Sequence, residues 1–214
     1  MPRTARHDHQ VTLQRAAHLF WERGYHACSL KDLETTLDMR PGSIYAAFGS
    51  KENLFQAALT TYYEQLVNGM TRVLQAHDRV LDGLTAYLRQ LAAEATGEAG
   101  AGDAPVAACM MVKTLLETTA DTSALNETVN ELFDRIESDL TATLERAQSL
   151  GELPPETDCV RLARLWQAQI IALRTFAHRR VDPQSVTLLA EDMIGVLQAH
   201  ASIPRNDPKA TANG

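Results

Sequence analysis

The sequence predicts an all-α protein of about nine helices, in which a small N-terminal helical domain precedes a larger helical body. Three observations favour this fold class. Helix-forming residues dominate long stretches of the chain, strand-like alternation is rare, and aromatic residues make up only 6% of the sequence. With 45% hydrophobic residues in 214, the chain can build a sizeable core. We expect domains at 1–52 and 53–201, followed by a disordered tail at 202–214.

The first helix is predicted from about Asp8 to Arg23. Leu13, Ala16 and Phe20 recur at helical spacing on one face, and Gly24 follows as a C-terminal stop.

The second helix begins with a capping box. The Ser29 side chain can accept from the backbone of Asp32, whose carboxylate can reach back. Leu33 and Leu37 then share one face with Leu30. Asp38 stands where a left-handed residue would end the helix, a conformation that Asp tolerates.

A third short helix should start at Pro41, because proline suits the first helical position. Ile44 and Phe48 form an inward i, i+4 pair. The outward residues are mostly small and are preceded by a cation: Arg40, Gly42, Ser43, Ala46 and part of Tyr45. Such a surface lets a helix approach the DNA major groove closely, so the two helices and their turn are interpreted as a helix-turn-helix DNA reader.

The fourth helix is capped by Ser50 and is predicted from Lys51 to about Gln75. A cation in the first turn opposes the helix dipole unless an anion joins it, and a helix N-terminus is itself a phosphate site. Lys51 is therefore expected to bind a DNA phosphate.

This segment resembles the DNA-binding signature of the TetR family of transcriptional regulators. The resemblance covers about the first quarter of the chain and includes Phe20, Gly24 and Ser29 upstream. Leu37 and Asp38 stand where the family often has Ala and Gly, and Glu34 replaces a common Ala. The matching core is Gly42-Ser43-Ile44-Tyr45-Ala46-Ala47-Phe48-Gly49-Ser50-Lys51-Glu52.

The resemblance implies a homodimeric repressor that a small molecule releases from double-stranded DNA. Arg40 is expected to read a base, and Ala46 and Ala47 to touch thymine methyls or sugar edges. Phosphate contacts are expected from Ser29, Ser43, Tyr45 and Lys51, and Pro41 and Gly42 complete the DNA-binding set.

Five further helices are predicted in the body, at 78–96, 105–120, 123–149, 156–179 and 183–201. Gly97 to Pro105 is a Gly- and Ala-rich loop, expected to be flexible. Gly151 to Pro155 breaks the chain before the eighth helix.

Residues 160–176 are apolar around most of the helix, which must therefore be covered on two sides. We expect helices eight and nine to form a self-complementary homodimer interface, and two readers roughly 34–36 Å apart select a palindromic operator. The alternative is an internal helix of a monomer. The surface on the last helix is predicted from Val186, Leu189, Met193, Val196 and Leu197.

The small-molecule effector is unknown, and its binding residues are expected on helices five to eight. Each candidate can equally be ordinary core. The candidates are Tyr87, Leu91, Met110, Met111, Thr114, Phe133, Trp166, Gln169 and Ile170.

An odd total of three cysteines without a C-x-x-C pair fits a reducing cytosol. Cys109, at the start of helix six, is similar to the cysteine of a TetR subgroup that senses electrophiles and reactive chlorine. Its position at a helix N-terminus favours thiolate, and Lys113 one turn on could add to this. The alternative is a small buried apolar residue. The reactive-chlorine sensors have a lysine on helix eight where this chain has Arg174.

The distribution of charge along the chain and the absence of catalytic motifs exclude several classes of function. The chain carries a net charge of −7, but residues 1–52 hold 7 Lys and Arg against 6 Asp and Glu. The acidic excess therefore belongs to the body. The sequence contains no nucleophile elbow, zinc-protease motif or phosphate loop, so we expect no enzymatic activity, no cofactor and no metal. It contains no apolar segment of membrane length, so we expect a cytoplasmic protein. A helical ligand-binding or interaction protein without DNA binding is the rival interpretation.

Overall fold

The computed structural model describes residues 3–97, 109–119, 122–179 and 181–201, with side chains from residue 9 onward. Within these ranges the regular elements are nine helices, which agrees with the predicted fold class. They are α1 (Arg3–Arg23), α2 (Leu30–Leu37), α3 (Pro41–Phe48), α4 (Lys51–Gln75), α5 (Val80–Thr96), α6 (Met110–Glu117), α7 (Ser123–Ser149), α8 (Cys159–Ala177) and α9 (Pro183–Gln198).

The bounds of α4 and α7 match the prediction, whereas five other helices differ from it at their ends. Helix α1 begins five residues early, at Arg3, and α9 ends three early, at Gln198. Helix α5 starts only at Val80, because Arg79 has extended backbone. Helix α8 starts only at Cys159, because Asp158 caps it by accepting from the backbone of Arg161 at 3.0 Å.

The predicted sixth helix is too long at both ends. Cys109 and Thr118 have non-helical backbone, with ψ of 125° and 138°, so only Met110–Glu117 is helical. Residues 105–108 and 120 lie outside the described residues. So do most of the predicted flexible loop and the predicted disordered tail.

The helices pack around two hydrophobic cores. One lies in the body between α5, α7, α8 and α9 and contains Leu88, Leu140 and Trp166. The other joins α1, α2, α3 and α4 through Phe20 and Phe55 and continues without a break into α6 and α7. The N-terminal domain is thus packed directly on α6, although the chain boundary predicted at residue 52 stays a prediction.

Two close contacts set the geometry of the body. Helices α4 and α5 approach so closely at Gly83 that an added Cβ would lie 3.0 Å from the Leu74 Cα. In the turn between α7 and α8, the buried Glu152 carboxylate accepts from the backbone N–H groups of Val80 and Leu81, at 2.9 Å each. Glu152 therefore caps α5 from a distant turn.

Candidate functional site

The turn between α2 and α3 has the geometry that the sequence predicts. Ser29 Oγ accepts from the backbone N–H of Asp32 at 3.2 Å, and Asp32 accepts from the Ser29 backbone at 2.9 Å. Asp38 is left-handed, with φ 53° and ψ 45°, and its N–H donates to the Glu34 carbonyl. The capping box and the left-handed turn are confirmed, and they fix where α3 starts relative to α2.

Helix α3 presents a nearly bare face to solvent. Ile44 is 1% exposed and Phe48 packs on the same core, so the predicted inward pair is confirmed. Pro41 is partly buried, and no heavy atom lies within 4 Å of the position of a Cβ added to Gly42. The exposed residues are Arg40, Gly42, Ser43, Tyr45, Ala46 and Ala47.

Two residues predicted to contact phosphate already have partners in this conformation. The Ser29 hydroxyl donates to Asp32 Oδ2 at 2.6 Å, so its single proton is used within the capping box. The Lys51 ammonium donates to the Tyr25 carbonyl at 2.6 Å and lies 4.5 Å from the centre of the Tyr25 ring. Lys51 still has two protons for a phosphate. Ser50 caps α4 as predicted, accepting from Asn53 at 3.0 Å.

The body holds an apolar cavity of about 60 Å³ between α4, α5, α6, α7 and α8. Four predicted effector residues lie in its wall: Tyr87, Met111, Phe133 and Ile170. Cys109 also lies there. The sequence reasoning missed the rest of the wall, which is Leu66, Val67, Met70, Ile136, Leu140, Gln167, Ile171 and Arg174.

The other five predicted effector residues do not line this cavity. Leu91 and Trp166 are buried in the body core, and Met110 in the core shared with the N-terminal domain. Thr114 is 3% exposed and donates to the Met110 carbonyl at 2.9 Å. Gln169 has a buried Oε1 for which the described residues offer no hydrogen-bond partner. The sequence could not distinguish residues that pack in the core from residues that line the cavity, because both kinds are apolar and share one face of a helix.

The polar part of the cavity wall centres on Arg174, which α8 carries inward. Its Nη1 donates to the Tyr62 hydroxyl at 3.4 Å. Burial raises the pKa of Tyr62 strongly, and the neighbouring Cys109 adds to this shift. Burial likewise raises the pKa of Tyr87. Burial by itself would lower the pKa of the Arg174 guanidinium, but Tyr62, Cys109, Tyr87 and Glu94 together raise it above its usual value, so the group stays charged.

All three cysteines are free and buried. Burial raises the pKa of Cys28 and of Cys159. Cys109 occupies the N-cap position of α6 without a capping hydrogen bond from its side chain, and it lines the cavity. The Lys113 ammonium donates to the Trp21 carbonyl of α1 at 2.9 Å, and its expected influence on Cys109 stays a prediction.

Helices α8 and α9 expose large apolar side chains on their outer surface. Val160 and Leu165 on α8 are each 41% exposed, and Leu188 on α9 is 57% exposed. Two residues predicted for this surface are wrong: Val186 and Leu197 face their own core, at 2% and 1% exposure. The helical register decides this, because Leu188 occupies the outward position instead. Val196 is exposed, and Leu189 and Met193 are partly buried.

Two kinds of feature are absent from the part of the chain that is described. No group of three His, Cys, Asp or Glu side chains is placed to hold a metal ion. No helix there is long and apolar enough to cross a membrane.

Both the N-terminal and the C-terminal parts of the chain match families of known proteins. Residues 13–58 match the family model for bacterial regulatory proteins of the tetR family, and residues 84–193 match the model for the tetracyclin repressor-like C-terminal domain. The HTH-type transcriptional repressor ComR of Escherichia coli is 29% identical over 157 residues, 73% of this chain and 72% of ComR. The uncharacterised HTH-type transcriptional regulator YezE of Bacillus subtilis is 27% identical, over 85% of this chain and 92% of YezE.

Among solved structures, a cysteine mutant of the TetR family regulator CifR, in complex with a 26-base-pair double-strand operator DNA, superimposes with a TM-score of 0.76. It is 29% identical, over 87% of this chain and 95% of that one.

Proposed function

Since this chain belongs to the TetR family of transcriptional regulators, we propose that it is a cytoplasmic homodimeric repressor that binds a palindromic operator and leaves it when an effector enters the body. The observation that most supports this proposal is the bare, exposed face of α3, which the capped α2 and the left-handed Asp38 hold at a fixed angle. A regulator uses such a face for DNA and needs no catalytic group, so we propose no enzymatic activity.

The roles on this surface follow from exposure and chemistry. Arg40 is exposed at the N-cap of α3, where a guanidinium can reach the edge of a guanine. Gly42 and Ala46 leave room for the duplex, and an exposed Ala methyl can touch a thymine methyl. Ser43, Tyr45 and Lys51 surround this face and supply donors to phosphates.

The effector signal has a short path to the DNA reader, because α6 contacts both. Cys109 and Met111 line the cavity, and one turn later Lys113 donates to the Trp21 carbonyl at the end of α1. The Glu117 carboxylate packs against Gly24, where an added Cβ would meet its Oε2 at 2.9 Å. An effector that moves α6 therefore also moves the end of α1.

The homodimer is proposed through the exposed apolar face of α8 and α9. Leu165 and Leu188 leave apolar surface on neighbouring helices that a second copy would cover. Two-fold symmetry makes one such face complementary to itself. A dimer also doubles the DNA contacts of an N-terminal domain that carries little net charge.

The test is footprinting on the DNA that flanks its own gene, followed by fluorescence anisotropy on the protected site at several salt concentrations. We expect a protected palindrome. Arg40→Ala should relax base preference at one position in each half-site, at a cost of about 1–3 kcal/mol on the preferred base. Lys51→Ala should weaken all sequences alike and reduce the salt slope by about one unit.

The matched control is Arg146→Ala, which removes an exposed arginine from α7, outside the N-terminal domain, and should leave both readouts unchanged. Equal losses on every sequence for Arg40→Ala would refute its assignment to a base. No protection of any flanking DNA would favour the rival, a helical ligand-binding or interaction protein.

A second candidate trigger is modification of Cys109, favoured by its place in the cavity wall. N-Ethylmaleimide would add to the sulfur and place bulk beside Met111 on the same helix. Release of operator by such reagents should then be lost in Cys109→Ser and kept in Cys28→Ser and Cys159→Ser. Unchanged release in Cys109→Ser would rule this trigger out.

A further inference from the structure

We propose that the effector is a small organic acid, whose carboxylate binds the Arg174 guanidinium while its apolar part occupies the cavity between α4, α5, α6, α7 and α8. This inference rests on the proposed effector-controlled repressor and assigns the chemical class of its ligand. Three features of the cavity support it: a charge that no described carboxylate pairs with, the apolar remainder of the wall, and an adjoining cleft.

The first feature is that no carboxylate among the described residues forms an ion pair with Arg174; Glu94, which lines the adjoining cleft with it, acts on it only at longer range. Three exposed arginines, Arg23, Arg89 and Arg164, each hold a carboxylate at 2.6–2.7 Å. Arg174 is partly buried, yet the ion pairs within the described part of the chain do not include it. Its hydrogen bond goes to a neutral hydroxyl, that of Tyr62.

A largely buried cation without an adjacent anion is costly, because burial removes water and a neutral hydroxyl replaces only part of it. The cost is relieved when an anion arrives. A planar guanidinium binds a carboxylate through two parallel hydrogen bonds, which are among the stronger ones in proteins. Arg174 is therefore suited to a ligand that brings its own negative charge.

The second feature is the chemistry opposite Arg174. Most of the cavity wall is aliphatic, aromatic or thioether, with Met70, Met111, Phe133, Ile136 and Ile170 among its residues. One N–H of the Gln167 amide is already used, since its Nε2 donates to the Phe133 carbonyl at 3.0 Å. One charged end and an apolar remainder match an aromatic or aliphatic monocarboxylate better than a sugar, a nucleotide or a polyanion.

The third feature is the cleft on the other side of Arg174. The internal cavity, at about 60 Å³, is small for an organic ligand. A cleft of about 510 Å³ opens between α1, α4, α5 and α8, and Arg174 and Leu66 line both spaces. Rotation of these two side chains would join them. The cleft also reaches Gln14 and His18 of α1, so a ligand held at Arg174 lies beside the first helix of the DNA reader.

The experiment compares acids with their neutral amides, which have nearly the same shape. Isothermal titration calorimetry at pH 7.5 measures the binding of benzoate and benzamide, phenylacetate and phenylacetamide, and octanoate and octanamide to the full chain. We expect at least one acid to bind about tenfold or more tightly than its amide, as hydrogen bonds to a charged group allow. Arg174→Gln should abolish that preference, Arg174→Lys should keep part of it, and Arg146→Gln should keep all of it.

The proposal is overturned if no acid in the panel binds more tightly than its amide, or if the preference survives in Arg174→Gln. The wild-type comparison needs no variant and stands even if Arg174→Gln does not fold. A further readout is thermal unfolding without ligand, in which Arg174→Gln should match or exceed the wild type because it removes a largely buried charge that no described carboxylate pairs with. A large fall would assign Arg174 a structural role and also count against the proposal.

Calorimetry needs no DNA, so its result is independent of the proposed function. If the chain protects no operator but prefers acids through Arg174, the ligand assignment holds and the repressor assignment fails. If it protects an operator that neutral compounds release as well as acids do, the repressor assignment holds and the ligand assignment fails.

Discussion

Glu152→Ala tests whether the body depends on a helix cap supplied from a distant turn. The Glu152 carboxylate accepts from the backbone of Val80 and Leu81, at 2.9 Å each, and Arg79 Nε lies 3.9 Å from one of its oxygens. The two N–H groups belong to the first turn of α5, where no intrahelical acceptor exists. Removing the carboxylate leaves two largely buried donors unpaired.

The magnitude follows from those two bonds. A buried donor left without a partner costs about 1–3 kcal/mol, and loss of an N-cap costs about 0.5–2 kcal/mol. Because some water can reach the emptied site, we expect the free energy of unfolding to fall by about 2–4 kcal/mol. Glu152→Gln should lose about half as much, since its amide oxygen can accept from one N–H while its NH₂ group faces the other.

The assay is urea unfolding followed by circular dichroism, at one fixed protein concentration because dimerisation adds to stability. Glu156→Ala is the matched control: it lies in the same turn, is exposed, and should change the free energy of unfolding by less than about 0.5 kcal/mol. If Glu152→Ala also stays within that range, α5 does not depend on this cap and the reasoning is wrong.

Three further perturbations have definite expected outcomes. Gly83→Ala places a Cβ 3.0 Å from the Leu74 Cα, so the helices must separate; we expect a loss of about 1–3 kcal/mol by urea unfolding, and an unchanged midpoint would contradict the close approach. Lys113→Met removes the ammonium that joins α6 to α1, and operator release by an effector, followed by anisotropy, should need more effector, while unchanged sensitivity would exclude this path. Hydrogen bonds from Ser29, followed by the charge of Arg23, lower the pKa of Asp32, so its unfolded pKa exceeds its folded one. The cap therefore contributes fully above about pH 4 and is lost as the pH falls through the folded pKa; in Asp32→Asn that part of the acid sensitivity, measured by thermal unfolding, should disappear.

Short-range signals in the sequence were enough to predict the helices of the N-terminal domain. The capping box at Ser29, the left-handed Asp38, the proline at the start of α3 and the Ser50 cap act between residues at most five apart. Such signals depend little on the rest of the chain, so their spacing in the sequence was enough to predict these helices and the exposed face of α3. The same reasoning predicted four residues of the cavity wall, because apolar residues on helices five to eight had to face inward somewhere.

Only the tertiary structure decided which inward-facing residues line the cavity and which pack against one another in the core. Trp166 and Ile170 are one turn apart on α8, yet Trp166 fills the core and Ile170 lines the cavity. Arg174 gave no local signal, because what distinguishes it is that no described carboxylate on the helices around it comes within ion-pair distance. The same holds for Glu152, whose partners are more than 70 residues distant. Caps and turns are short-range and were readable from spacing, whereas cavities, counter-ions and long-range caps depend on how separate helices pack.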